Sequence, residues 1–198
     1  MGRSALLIVD MQNDLVHTDG KAFMPDAAHK APVMSAILDA FREAREPVIH
    51  TVRSYRADTW DVERFRVPAF QADRGFTVER TWGAQIVDRL MPEAGEPVVV
   101  KQRFSAFAFT ELDLLLRRAG ISKIVVVGVN LPNCPRMTMY DAVGLDYDVV
   151  AVADALAAAN DETHRVNLQD LAGIGVRIAE ASEIIREIAR ASERMSPN

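Results

Sequence analysis

The stretch KIVVVGVNLPNCPRMTMYDAVGLDYDVVAVADAL, from Lys123 to Leu156, decides the reading of the fold. It opens and closes on runs of consecutive apolar, mostly β-branched residues, Lys123 to Val129 and Asp148 to Ala153. Unbroken runs of this kind mark strands buried on both faces, as in a parallel sheet covered by helices. Between them, Pro135 to Gly144 reads as a helix, with Pro135 at the first helical position that proline favours. Working outward, the same strand character recurs at Ala5 to Val9, Pro47 to Val52, Pro97 to Val100 and Val176 to Ala179.

Helical patterns fill the gaps. From Val33 to Glu46 the apolar Val33, Ile37, Ala40, Phe41 and Ala44 share one face, and Pro47 stops the helix. Thr110-Glu111-Leu112-Asp113 resembles a capping box with Asp in place of Glu, and Gly120 stands where a helix-ending glycine belongs. Further helices are expected at Asp161 to Ala172 and Ala181 to Ala191. Six strands alternating with helices predict one three-layer α/β domain spanning residues 1–198. The exception is Arg53 to Arg80, a long stretch without a period that carries Tyr55, Trp60, Phe65, Phe70 and Phe76 among many charges. Loops of this length are functional or disordered, and the aromatic content speaks for function. The tail from Ser192 to Asn198 reads as frayed.

Composition bounds the partners. The 198 residues are 49% apolar and 26% charged, the balance of a soluble domain. The net charge of −5, without a basic block, disfavours nucleic acid and anionic membranes and leaves a small molecule as the ligand. One cysteine excludes a disulfide framework and a Cys-rich zinc site, and fits the reducing cytoplasm. The apolar run before Asp10 is far too short for a signal peptide or a membrane span.

Ligands of open parallel sheets bind outside the carboxyl ends of the strands, so reactive residues there matter most. Asp10 ends the first strand, Lys101 ends the third, and Cys134 lies in the turn after the fourth. Each has a plainer role open to it: a turn or cap residue, a solvated strand end, a small buried hydrophobe. Pro135 changes the balance for Cys134 by placing the thiol at a helix start. The helix end and a nearby lysine are expected to bring its pKa from about 8.5 towards neutrality, about 2.7 kcal/mol for two units. An acid–base carboxylate, a cation and a nucleophile at neighbouring strand ends form a plausible covalent-catalysis site.

The segments LLIVDMQNDL (6–15), VVVKQRFSAF (98–107), VVVGVNLPNC (125–134) and DAVGLDYDVVAVADAL (141–156) carry a resemblance to the isochorismatase-like cysteine hydrolase family. It extends from about Ala5 to Glu180. The resemblance implies a six-stranded doubly wound parallel sheet of order 3-2-1-4-5-6. It also implies a triad that maps onto Asp10, Lys101 and Cys134, and a cis peptide at Val129–Asn130. Backbone groups of Asn130, Leu131 and Cys134 would form the oxyanion hole, and assembly into dimers or tetramers is implied as well.

Leu131 stands where the family often has threonine, and the variant NLPNCPR resembles a branch that cleaves biuret, ureides and carbamoyl amides. Nicotinamidases of the family carry a metal-binding Asp-x-His after the second strand. The matching region here reads Thr51-Val52-Arg53-Ser54-Tyr55, so neither a metal nor any other cofactor is expected. His17, His29, His50 and His164 lack ligand spacing.

For substrate binding, Gln12, Arg53, Tyr55, Trp60, Phe104 and Phe107 are the candidates, with Arg64, Asn13 and Asp14 weighed beside them. Arginine suits a substrate carboxylate. The expected function is metal-free amide, ureide or carbamoyl C–N cleavage through a thioester. The alternatives are a nicotinamidase-like or other small-amide hydrolase and a non-catalytic binding or assembly module.

Overall fold

Six parallel strands form one sheet in the order β3-β2-β1-β4-β5-β6. They are β1 (Arg3–Val9), β2 (Val48–Arg53), β3 (Val98–Lys101), β4 (Ile121–Gly128), β5 (Asp148–Leu156) and β6 (Arg177–Ala179). The computed structural model describes residues 3–195. All six predicted strands are present, and the order is the expected one.

The unbroken apolar runs are explained by two cores, one on each face of the sheet. Leu6 and Ile8 of β1 face the first core, with Met34, Ile37 and Phe41 of α2 (Pro25–Glu43) and Ile184 of α7 (Ala181–Met195). Ala5, Leu7 and Val9 face the second. There they meet Leu112 and Leu116 of α4 (Leu112–Arg118), Met139 of α5 (Cys134–Gly144) and Leu171 of α6 (Asp161–Gly173).

Several boundaries differ from the sequence reading. α2 begins at Pro25, eight residues before Val33, because Pro25 occupies the first turn and the helix continues through Pro32. The capping box at Thr110 does not form. Glu111 is the N-cap residue of α4 without a side-chain cap bond, and the Asp113 carboxylate instead pairs with Arg117 and the Tyr147 hydroxyl. Gly120 does end that helix, at φ +68°. Ser192 to Met195 continue α7 rather than fraying, and the rest of that expected tail lies outside the described residues.

The stretch after β2 is not featureless. It holds α3 (Val67–Gln71), and Tyr55 bridges to Val78. The short helix α1 (Asn13–Val16), which the sequence reading missed, follows β1 directly.

The order reverses direction between β1 and β4, and that switch point is where an open α/β sheet offers its crevice. Val9 pairs with Gly128 there. Gly128 has φ +126°, and a Cβ on it would stand 2.2 Å from the Val9 carbonyl oxygen, so only glycine lets the two backbones close up.

Candidate active site

Four strand ends converge on the switch point. Asp10 follows β1 at φ 54°, a left-handed turn that aspartate tolerates. Its N–H donates to the Thr51 carbonyl of β2 at 3.0 Å. Arg53 and Lys101 end β2 and β3 in register with each other. After β4 the Val129–Asn130 peptide is cis, Asn133 caps α5, and Cys134 is its first residue.

The side chains meet in a buried cluster. Lys101 Nζ donates to Asp10 Oδ2 at 2.7 Å, with Lys101 0% and Asp10 1% exposed. The Asp10 carboxylate also lies near enough to Cys134 to act on its thiol. Arg53, also buried, donates through Nη2 to Cys134 Sγ at 2.9 Å and brings Nε to 3.8 Å from Asp10 Oδ2. Its Nη1 donates to Glu63 Oε1 at 2.8 Å, and the Tyr55 hydroxyl sits between Arg53 and Glu63 in contact with both. Burial works against the Arg53 charge, but Cys134, Asp10 and Tyr55 outweigh it and hold the guanidinium above its ordinary pKa.

The thiol differs from its sequence expectation. Burial, reinforced by the Asp10 carboxylate, pushes the Cys134 pKa up, and Lys101 and Arg53 only partly offset this. A helix start and a lysine were expected to lower it; in a site this dry, desolvation of the thiolate wins. The thiol therefore needs a base at the moment of reaction, and a carboxylate adjoins it.

Several candidate residues have other duties. Gln12 is fully buried and does not reach the cavity; its amide nitrogen donates to the carbonyls of Arg53 and Ala84, and its oxygen accepts the Arg53 N–H. Asn13 and Asp14 pin loops in the same way, through the Trp82 carbonyl and the N–H groups of Lys21 and Thr77. Tyr55 supports Arg53 from behind. Trp60 is 90% exposed, away from the cavity, and Arg64 is exposed as well. Phe107 packs on Tyr147 with ring centroids 5.9 Å apart. The Leu131 N–H is spent on the Ala157 carbonyl at 2.7 Å, which removes it from the expected oxyanion donors. That leaves the N–H groups of Asn130 and Cys134.

A cavity of about 180 Å³ opens beside Cys134. Asp10, Arg53, Phe104, Val129 and Asn130 line it, as expected or nearly so, and so do Leu15, Met24, Arg66 and Phe76, which sequence reasoning missed. Arg66 and Phe76 belong to the aromatic stretch after β2, so that segment covers the site. The alternation of Arg53 and Tyr55 on one strand face was a signal for a paired role, whereas nothing in the sequence marked Glu63 or Arg66.

Where nicotinamidases build a metal site, Arg53 and Tyr55 offer a guanidinium and a phenol already bonded to Glu63, a donor set that does not fit a divalent cation. Among the described residues no three His, Cys, Asp or Glu side chains form a metal-holding group, and no helix is long and apolar enough to cross a membrane.

Comparison with known proteins agrees with this architecture. The isochorismatase domain matches residues 4–183. A protein from Arabidopsis thaliana named probable inactive nicotinamidase is 37% identical over 189 residues, 94% of this chain and 96% of that one. The ureidoacrylate amidohydrolase RutB of Enterobacter sp. is 30% identical over 179 residues, 80% of this chain and 77% of the relative. The crystal structure of an isochorismatase family protein from Desulfovibrio vulgaris superposes with a TM-score of 0.91 at 40% identity, covering 96% of this chain and all of the other. With the isochorismatase domain matched over most of the chain and the sheet order and switch-point crevice in place, the chain belongs to the isochorismatase family of hydrolases.

Proposed function

We infer that the chain is a cysteine amidohydrolase that cleaves the C–N bond of a small amide, ureide or carbamoyl compound through a thioester on Cys134. One observation carries this reading: a buried thiol, held by Arg53 at 2.9 Å, sits beside a carboxylate that a buried lysine holds at 2.7 Å, at the wall of a small cavity.

Each step follows from these groups. Asp10 accepts the Cys134 proton as sulfur attacks the substrate carbonyl carbon. Lys101 and Arg53 face the sulfur and the carboxylate, so negative charge on either is matched wherever the proton resides. The Asn130 and Cys134 N–H groups hold the oxyanion that forms. As the C–N bond breaks, Asp10 returns the proton to the leaving nitrogen, and ammonia or an amine departs. Water then gives its proton to Asp10 and adds to the thioester carbonyl; the C–S bond breaks, the acid leaves and sulfur regains the proton. No step needs a metal or another cofactor.

The RutB relative is named for an amidohydrolase, which favours ureide chemistry. Nicotinamide is a second reading, favoured by the name of the Arabidopsis relative, although that name calls that protein probably inactive. The reading also includes a reducing, cytoplasmic setting that keeps Cys134 a free thiol, and a homo-oligomer whose contact covers the exposed Trp60 or Phe65. No nucleic-acid or membrane partner enters it.

An ammonia-release screen over small amides, biuret, N-carbamoyl amino acids and nicotinamide tests it. Turnover of at least one ureide or amide, lost in Cys134→Ala, is the expected result. No ammonia from any of them, with Cys134 intact and reactive to iodoacetamide, would favour a non-catalytic binding module instead.

A further inference from the structure

The cavity holds one cation that the mechanism does not use. Arg66 lines it, with its side chain 20% exposed. Its guanidinium lies against three aromatic rings, Phe65 at 4.7 Å, Phe76 at 5.1 Å and Phe104 at 5.6 Å, which fix its plane without using its hydrogen-bond donors. Its Nε stands 3.4 Å from Glu63 Oε2 and is buried without a hydrogen-bond partner. Nη1 and Nη2 donate to no described residue.

Charge at the site is unbalanced in consequence. Lys101 is matched by Asp10, and the single charge of Glu63 is shared between Arg53, at 2.8 Å and with the Tyr55 hydroxyl beside it, and Arg66, at 3.4 Å. Three cations, Lys101, Arg53 and Arg66, thus face two carboxylates, Asp10 and Glu63. Asp14, the next buried carboxylate, does not line the cavity and spends both oxygens on backbone N–H groups. Arg103, nearby, adds no negative charge. Moving a proton from Cys134 to Asp10 leaves the sum unchanged, so one positive charge awaits a ligand in a partly desolvated pocket, where an unmatched charge is costly.

A second orphan lines the same cavity. Asn130 Oδ1 is buried, has no hydrogen-bond partner and belongs to a residue lining the same space. It can only accept, and an amide N–H is the donor that a substrate poised at Cys134 would bring.

We propose that Arg66 is the anion subsite of this pocket and that the substrate is a small amide or ureide bearing a carboxylate. The carboxylate pairs with the Arg66 Nη1/Nη2 fork, the amide N–H donates to Asn130 Oδ1, and the carbonyl meets Cys134. At about 180 Å³ the cavity is smaller than the ~300–1,000 Å³ of drug-sized sites, so the ligand has only a few carbons between its two polar ends. The sequence reading offers Arg53 and Arg64 for this role, but Arg53 commits its donors to Cys134, Glu63 and main-chain carbonyls, and Arg64 is exposed outside the cavity lining. The orientation towards Cys134 rests on the amidohydrolase reading; the binding of an anion by Arg66 does not.

The test compares charged with neutral analogues, succinamate with butyramide and N-carbamoylglycine with propylurea. Binding is measured by calorimetry in Cys134→Ala, where nothing turns over. The carboxylated member of at least one pair is expected to bind about 10- to 100-fold more tightly, the worth of one charge-assisted pair. Arg66→Gln added to that background should erase the preference while leaving the neutral member within about twofold, and Arg66→Lys should restore part of it. Equal affinities within both pairs, no binding of either carboxylated member, or a preference that survives Arg66→Gln would overturn the inference. If carboxylated amides bind through Arg66 but the wild type releases ammonia neither from these four compounds nor from any in the wider amide screen, the anion subsite stands and the amidohydrolase reading falls.

Discussion

At the N-terminal end of β2 and β3, Glu96 accepts from Arg42 at 2.8 Å and meets His50 Nε2 at 3.0 Å; at their C-terminal end, Arg53 and Lys101 close on Asp10 and Cys134. Both clusters hang on the same two strands and bury charge. They differ in balance. Around Glu96 the carboxylate is the hub. Burial raises its pKa, but the Arg42 hydrogen bond, the Glu93 N–H and His50 outweigh that and bring it down to about 2. His50 itself is pushed down by burial. That end ties α2 to the sheet through Arg42 and Glu96. At the other end cations outnumber carboxylates, a nucleophile is among the partners, and the surplus charge faces a cavity. Buried ion pairs alone therefore do not mark a site; an unmatched charge beside a cavity and a reactive atom does.

Changes at the C-terminal end should show the largest effects. Cys134→Ala and Asp10→Asn are expected to fold and to lose turnover by at least about 10³-fold, since nucleophile and base act as a unit; Cys134→Ala keeps the melting temperature, whereas Asp10→Asn lowers it because buried Lys101 loses its counter-charge. Steady-state ammonia release checks this, and near-wild-type rates in either would dissolve the distinction between the two ends. Arg53→Gln should lower kcat by about 10²-fold with a smaller change in KM, because it loosens the sulfur and its base without removing either. A KM effect alone would return Arg53 to the substrate-binding role first read from sequence.

At the N-terminal end the expected outcome is the reverse. Glu96→Gln should cost about 1–3 kcal/mol in denaturant unfolding, the price of leaving buried partners unsatisfied, and leave kcat/KM unchanged. The folded-state pKa of Glu96 is depressed, so its contribution is complete above the ordinary value of 4.5 and is lost as pH falls from there towards about 2. Unfolding curves across that window should show wild-type stability falling towards that of Glu96→Gln. A variant whose deficit persists unchanged at the acid end would contradict the assignment.

The smallest effect belongs to Trp60. In one protomer it touches no part of the cavity, so Trp60→Ala should leave kcat within about twofold and weaken self-association seen by light scattering. A species of single-chain mass at micromolar concentration with full activity would remove the oligomer from the account.

The strands were legible because burial on both faces writes itself as unbroken apolar runs, while their order, and with it the switch point, was implied by the family resemblance. Asp10, Lys101 and Cys134 were legible because each ends or follows such a run. Arg66 and Glu63 were not, for they sit in a segment whose path is set by contacts with distant loops rather than by any period. The start of α2 was missed for a different reason, since Pro32, its eighth residue, stands just before Val33 and a proline inside a helix reads as a boundary. The lowered thiol pKa failed because it weighed the helix start and Lys101 without the burial of Cys134, which sequence does not show.

The central claim is that Cys134 carries the acyl group. Rapid-quench intact-mass spectrometry of the wild type, with an amide that the ammonia screen identifies, tests it most directly. The account predicts an added acyl mass that appears with the first equivalent of ammonia, maps to the peptide containing Cys134, and is absent in Cys134→Ala. Ammonia released in the first turnover with an unmodified Cys134, under conditions where a thioester survives the quench, would contradict it.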